Sequence, residues 1–277
     1  MEEIKVTTQN DLDLPWLTFT LCGNAYAINS KFIDGIMTPP EEITPIPDSP
    51  RKYIGMLNIR GDVFPLLDMR VQFKNPTMSE EISAFEKQVD EFIERHKKTF
   101  DELKNTVSDS TTAISAVDDT KCGYSLWAEK VMKHKDKVGE AIAKAQEPHK
   151  ALHHIADRIT EIVRNSQAER REEELKKVLA EGESQLVLFT DILKEAEYTF
   201  KRRFRETIIN LSDGDRKLGI MVDEVLGVGE IEMVKDSQNL NSVYSSNMFE
   251  GVGLSDKTEK EILIINEELL IKQSDIE

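Results

Sequence analysis

The chain of 277 residues lacks any apolar run approaching the ~18 residues that a membrane-spanning helix needs, so direct insertion into a bilayer is not expected. Its first residues, MEEIKVTTQNDLD, carry neither the basic start nor the apolar stretch of a secretory signal. A cytoplasmic protein is the expectation. Positive charge is in deficit, with 36 Lys and Arg against 52 Asp and Glu and a net charge of -16. Such a chain repels nucleic-acid phosphates and anionic lipid surfaces alike, which excludes nucleic acid as the expected partner. Cysteine is scarce: Cys22 and Cys122 sit in dissimilar contexts, so no disulfide framework is expected. Cys22 ends an alternating strand and reads as a small buried hydrophobe. What is present, 39% hydrophobic residues, suffices for the core of one large domain or two ordinary ones.

Proline and glycine are nearly missing from one long stretch. Between Pro76 and Arg203 only Pro148, Gly123, Gly139 and Gly182 interrupt a chain rich in Glu, Lys, Ala and Leu, so helices can run there. They are predicted near 78–104, 121–146, 148–180 and 184–203, with NTVSDSTTAISAVDD as the one long loop. Pro148 suits a helix's first turn, where its missing N–H costs nothing. The basic run KRRFR, Lys201 to Arg205, complements the macrodipole at a helix C-terminus.

The flanks read differently. WLTFTLCG alternates, GMLNIRGDVFPLLDM carries two apolar runs around a turn, and Pro39, Pro40, Pro45, Pro47 and Pro50 forbid a helix between them. Strand patterns resume at ETIINL, KLGIMVDEVLGVGEIEMV and GVGLSDKTEKEILIINEELLI. Neither flank alone has enough strands to close a barrel without leaving open edges. The prediction is an α+β chain: one discontinuous β domain, residues 1–75 and 204–277, interrupted by a helical insertion over 76–203.

GMLNIRGDVFPLLDMR resembles the G-V-x-N-L-R-G-x-x-x-P-x-x-D-L-R stretch of the CheW adaptors of bacterial chemotaxis, and MVDEV is a second similarity. The resemblance covers nearly all of the chain outside the insertion. It implies a pair of small five-stranded β-barrels, without catalytic residues, that binds a CheA-type histidine kinase on one surface and the cytoplasmic tip of a chemoreceptor on another. Arg60 matches the family's interface arginine, with Ile59 beside it, and Ile33 takes the place of a receptor-contacting apolar residue. Arginine beside apolar surface is a common interface anchor. Gly35 stands where many members carry glutamate, so that contact does not transfer.

Within the insertion, Phe85, Val89, Phe92, His96, Phe100 and Leu103 recur at helical spacing as one stripe with His96 near its middle. Farther on, EPHKALHHIADRI places His149 and His153 on one flank of a stripe formed by Leu152, Ala156, Ile159 and Val163, while His154 turns away. A pair at i and i+4 can grip one ion, yet it equally fits two histidines with ordinary hydrogen-bond partners. Adding Cys122 and the core-facing His96 completes a tetrahedral set of borderline-soft donors. His134 reads as a solvated histidine.

The order His96, Cys122, His149, His153, with 25 and 26 residues in the first two intervals, resembles the chemoreceptor zinc-binding (CZB) domain. CGYSLW resembles its C-x-L-G-x-W signature, with Tyr124 for the leucine and Ser125 for the glycine. This resemblance implies an antiparallel four-helix bundle, zinc held by those four residues, sensing of zinc or of oxidants at the cysteine, and homodimerisation through the helices. Two other readings stay open: a constitutive scaffold with purely structural zinc, and a zinc hydrolase. The last finds little support, since Lys150 follows His149 where HExxH would carry its base and a fourth protein ligand closes the site.

Overall fold

A two-residue turn at Cys22 and Gly23, both with positive φ, folds β1 (Trp16–Leu21) back on β2 (Asn24–Asn29). This computed structural model describes residues 15–108, 119–236, 248–255 and 258–276. The chain divides into two units, Met1–Met78 with Phe204–Glu277, and Ser79–Arg203.

In the first unit, β3 (Ile33–Met37), β4 (Tyr53–Ile59), β5 (Asp62–Asp68) and the short helix α1 (Met69–Gln72) follow the opening hairpin. After the insertion come β6 (Thr207–Asp213), β7 (Arg216–Val222), β8 (Glu224–Gly229), β9 (Ile231–Asp236), β10 (Phe249–Ser255) and β11 (Thr258–Ile265). They form a six-stranded sheet, β8-β1-β2-β11-β10-β9, and a five-stranded one, β3-β6-β7-β5-β4. One of the two predicted five-stranded sheets therefore has six. The long run KLGIMVDEVLGVGEIEMV is broken at Asp223 and Glu230 into β7, β8 and β9, and Gly227, at φ 144, sits at a register shift inside β8. Only Glu230 links β8 to β9, yet they occupy opposite edges of the sheet, so the sheet must curl until those edges come near.

Both sheets mix strands from before and after the insertion. β2 pairs with β11, β3 with β6, and β5 with β7. Neither flank could complete a sheet alone, which is the physical sense in which the β domain is discontinuous. Phe19, Tyr26 and Ile28 of one sheet share a buried cluster with Leu67, Leu211 and Ile220 of the other, each contributing about 1.5–3 kcal/mol. Beside it, buried Arg70 makes a bidentate pair with Asp223, Nη2 to Oδ2 at 2.6 Å, and stacks over Phe204 at 5.3 Å.

The second unit contains α2 (Met78–Ser108), a 3-10 turn (Asp119–Lys121), α3 (Gly123–Met132), α4 (Lys137–Lys144), α5 (Gln146–Asn165) and α6 (Ala168–Arg202). Most of the loop expected over 105–119 lies outside the described residues. The helix predicted over 121–146 is two. Lys135 takes φ 50 and Asp136 caps α4 by accepting from Gly139 N at 2.8 Å, while a Cβ on Gly139 would stand 3.3 Å from the Val131 carbonyl. That glycine lets α4 fold back on α3.

The break predicted near residues 181–183 is absent and falls instead at Ser166 and Gln167. Gly182 lies inside α6, where a Cβ would come within 2.5 Å of the Phe100 ring. Its signal was one of close packing, and the helix continues through it. The basic run is taken up inside the unit: Arg203 pairs with Glu81 and Asp136, and Lys201 with Glu86 and Glu197.

Candidate metal centre

His96 lies two-thirds along α2, buried, with Nδ1 2.7 Å from the Phe92 carbonyl. A carbonyl only accepts, so Nδ1 carries the proton and Nε2 presents its lone pair. That lone pair faces Cys122 Sγ at 3.6 Å. Cys122 is the N-cap of α3, held by its extended backbone at φ -64, ψ 138, with its own N–H donating to Asp119 O. His149 sits in the first turn of α5 directly after Pro148, and His153 is one turn on, so their Nε2 atoms approach to 3.1 Å.

All four donor atoms lie within 4.8 Å of one another. Ordinary zinc bonds at tetrahedral angles set edges of about 3.4 Å between nitrogens and about 3.6 Å between sulfur and nitrogen. The 3.6 Å between Cys122 Sγ and His96 Nε2 and the 3.1 Å between His149 and His153 fit that scale. Three of the donors are buried and His153 is half-buried.

Electrostatics prepares the same chemistry. Burial would push the Cys122 thiol up, but its contacts with the His149, His153 and His96 imidazoles, with the Tyr124 N–H, bring it down to about 3. Burial lowers His149, assisted by the neighbouring His153 and His96 against the pull of Cys122. Tyr124 is raised by its own burial and by the Cys122 charge, so it stays a neutral phenol donating to Ile142 O at 3.3 Å. A thiolate at Cys122 beside a His149 imidazole held neutral by burial is the protonation pattern that metal ligation requires.

Sequence reasoning missed the walls of this site. Tyr124, at the position where the CZB signature has leucine, is fully buried with its ring 4.6 Å from that of His149. Phe189 of α6 lies 5.0 Å from His96 and 4.9 Å from Tyr124. Phe92 could be found from its place on the His96 stripe; Phe189 comes from a helix with no local signal. His154 and His134 are exposed, as their helical phase and polar surroundings predict.

The other candidate residues lie in the first unit. Ile33 begins β3 at one end of the five-stranded order, and Ile59 ends β4 at the other; both are half-buried. Arg60 is exposed in a two-residue hairpin turn, where it and Gly61 take φ 56 and φ 94, with Asn58 Oδ1 accepting from Gly61 N. Val63, close by on β5, is 59% exposed.

The model of the CheW-like domain family matches residues 15–93. Among solved structures, the chain is similar to the scaffolding protein TtCheW from Thermoanaerobacter tengcongensis, at 13% identity and a TM-score of 0.39, over 91% of this chain and 88% of that one. No curated protein matches. Among the described residues, no helix is long and apolar enough to cross a membrane.

Proposed function

We propose that the protein is a non-enzymatic chemotaxis adaptor that couples chemoreceptors to a CheA-type histidine kinase and carries a zinc-responsive helical insertion. The β domain, residues 1–75 and 204–277, is its CheW-like part; the insertion, 76–203, is its CZB-like part. The convergence of His96, Cys122, His149 and His153 inside a unit inserted next to a CheW-like match carries this reading. Zinc bound there would cross-link α2, α3 and α5 as a closed centre, supplying structure and regulation with no open position for hydrolysis.

The β domain contributes the partner surfaces. Arg60 projects from a rigid turn beside exposed Val63 and half-buried Ile59, a guanidinium next to apolar surface suited to the kinase. Ile33 is assigned to the receptor tip. Exposed Val187 and Tyr198, eleven residues apart on α6 and so on one face, support homodimer formation through the helices.

A purely structural zinc is disfavoured by a separate apolar core within the insertion, built by Phe100, Leu103, Ile155, Ile159 and Val178, which holds α2, α5 and α6 together without metal. The deciding experiment is titration of the purified protein with zinc and then a chelator while its affinity for the kinase regulatory domain is measured. A metal-dependent affinity supports the adaptor-sensor; an unchanged affinity with one bound zinc reduces the insertion to a staple.

A further inference from the structure

The four ligands are not equivalent in how they join the fold. His96 comes from α2, Cys122 from the start of α3 and His149 from α5, so these three alone already bring one residue from each of three helices. His153 is the second ligand from α5. Releasing His96 or Cys122 cuts its helix off from the centre, whereas releasing either His149 or His153 leaves α5 tied by the other.

Burial is what tells the two α5 ligands apart. His149 is 2% exposed, His96 8% and Cys122 9%, while His153 is half-buried. Tyr124 and Phe189 lie against both His96 and His149, walling those rings from water. The His96 ring is further pinned through Nδ1 to the Phe92 carbonyl. His153 belongs to the water-facing side of the cluster, next to exposed His154.

We propose, on the zinc reading above, that His153 is the exchange ligand of the centre: the position at which a small nitrogen or thiolate donor enters and through which the metal is handed over. In the exchange the bond that His153 would make to the ion would break, its imidazole would swing to water, and the incoming donor's lone pair would form the replacing bond. No electron changes hands. His96, Cys122 and His149 hold the helices throughout, so exchange proceeds without unfolding the insertion. The burial asymmetry thereby separates a cross-linking function, carried by three ligands, from an exchange function, carried by one.

The test uses the full chain loaded with cobalt(II), whose ligand-field and thiolate charge-transfer bands report coordination, together with zinc transfer to a chromophoric chelator. His153→Ala is expected to keep one ion per chain and the thiolate band, to recover a tetrahedral spectrum when free imidazole is added, and to release zinc faster by on the order of tenfold or more. His149→Ala, whose vacancy is walled off, is expected to show no imidazole rescue. Circular dichroism of both variants accompanies the spectra, and in wild type imidazole is expected to accelerate zinc transfer. Equal rescue of both variants, or a folded His153→Ala that holds no metal, overturns the exchange role while leaving the zinc centre standing. A wild-type chain that takes up neither metal removes the zinc reading itself, and the exchange role with it.

Discussion

The Nε2 atom of His96 and the Sγ atom of Cys122, 26 positions apart, stand 3.6 Å from each other in a buried site. That single approach joins the stripe of a long helix to the cap of a short one. Removing either residue should therefore damage the centre more than any exposed histidine can. His96→Ala and Cys122→Ala are expected to purify with far less than one metal ion per chain, and His134→Ala and His154→Ala with a wild-type content. Elemental analysis of the four variants beside the wild type checks this.

Arg60 occupies a left-handed backbone position that costs a residue with a Cβ roughly 1–2 kcal/mol. Arg60→Gly is expected to raise stability by about 0.5–1 kcal/mol, because the native strain relieved exceeds the entropy added to the unfolded chain. The same variant should bind the kinase regulatory domain at least about tenfold more weakly, as loss of an arginine anchor does. Urea unfolding and a binding isotherm on one preparation measure both; a loss of stability with unchanged binding would show that Arg60 serves the turn alone.

Gly182→Ala opposes two effects of known size. Helix propensity favours alanine by about 1 kcal/mol, but the new methyl group would fall 2.5 Å from the Phe100 ring. Overpacking of that kind costs about 1–3 kcal/mol. The expected net result is a destabilised insertion, read as a lower thermal midpoint, and the double variant with Phe100→Leu should recover part of the loss.

Glu267, in α7 (Glu267–Ile271), is buried and its carboxyl is pushed up by burial to about 8, against the pull of N–H donors from Asn29 and from its own backbone. Unfolded, it ionises near 4.5. Between those values the folded state binds more protons than the unfolded one, so this group lowers stability as pH rises from 4.5 to about 8. Glu267→Gln keeps an oxygen for the Asn29 N–H and abolishes that slope. At pH near the upper limit it should exceed wild type by at least about 1 kcal/mol, since each tenfold difference in proton affinity between the folded and unfolded states is worth about 1.4 kcal/mol. Denaturant titrations across the window provide the comparison.

Much of this molecule was legible in its residues. Alternating strands on either side of a stretch poor in proline and glycine marked an insertion, and periodicity at 3.6 residues turned His96 into the core while sending His154 to water. Those features depend on neighbours within a turn or a strand, and local geometry is enough to decide them. Where the reading failed, the deciding neighbour was distant. Gly182 looks like a helix break until Phe100 from another helix fills its missing side chain, and Gly139 looks tolerable in one long helix until α4 has to fold against α3.

The same division holds at the centre. Residue type and spacing determined which four side chains are able to ligate a soft divalent ion, because donor chemistry and helical phase are properties of the chain. Only the tertiary structure decided that their donor atoms converge within 4.8 Å, that Tyr124 and Phe189 wall the site, and that His153 alone is half-buried. Convergence and burial are set by how separate helices pack, and packing is a relation between segments that no single segment contains.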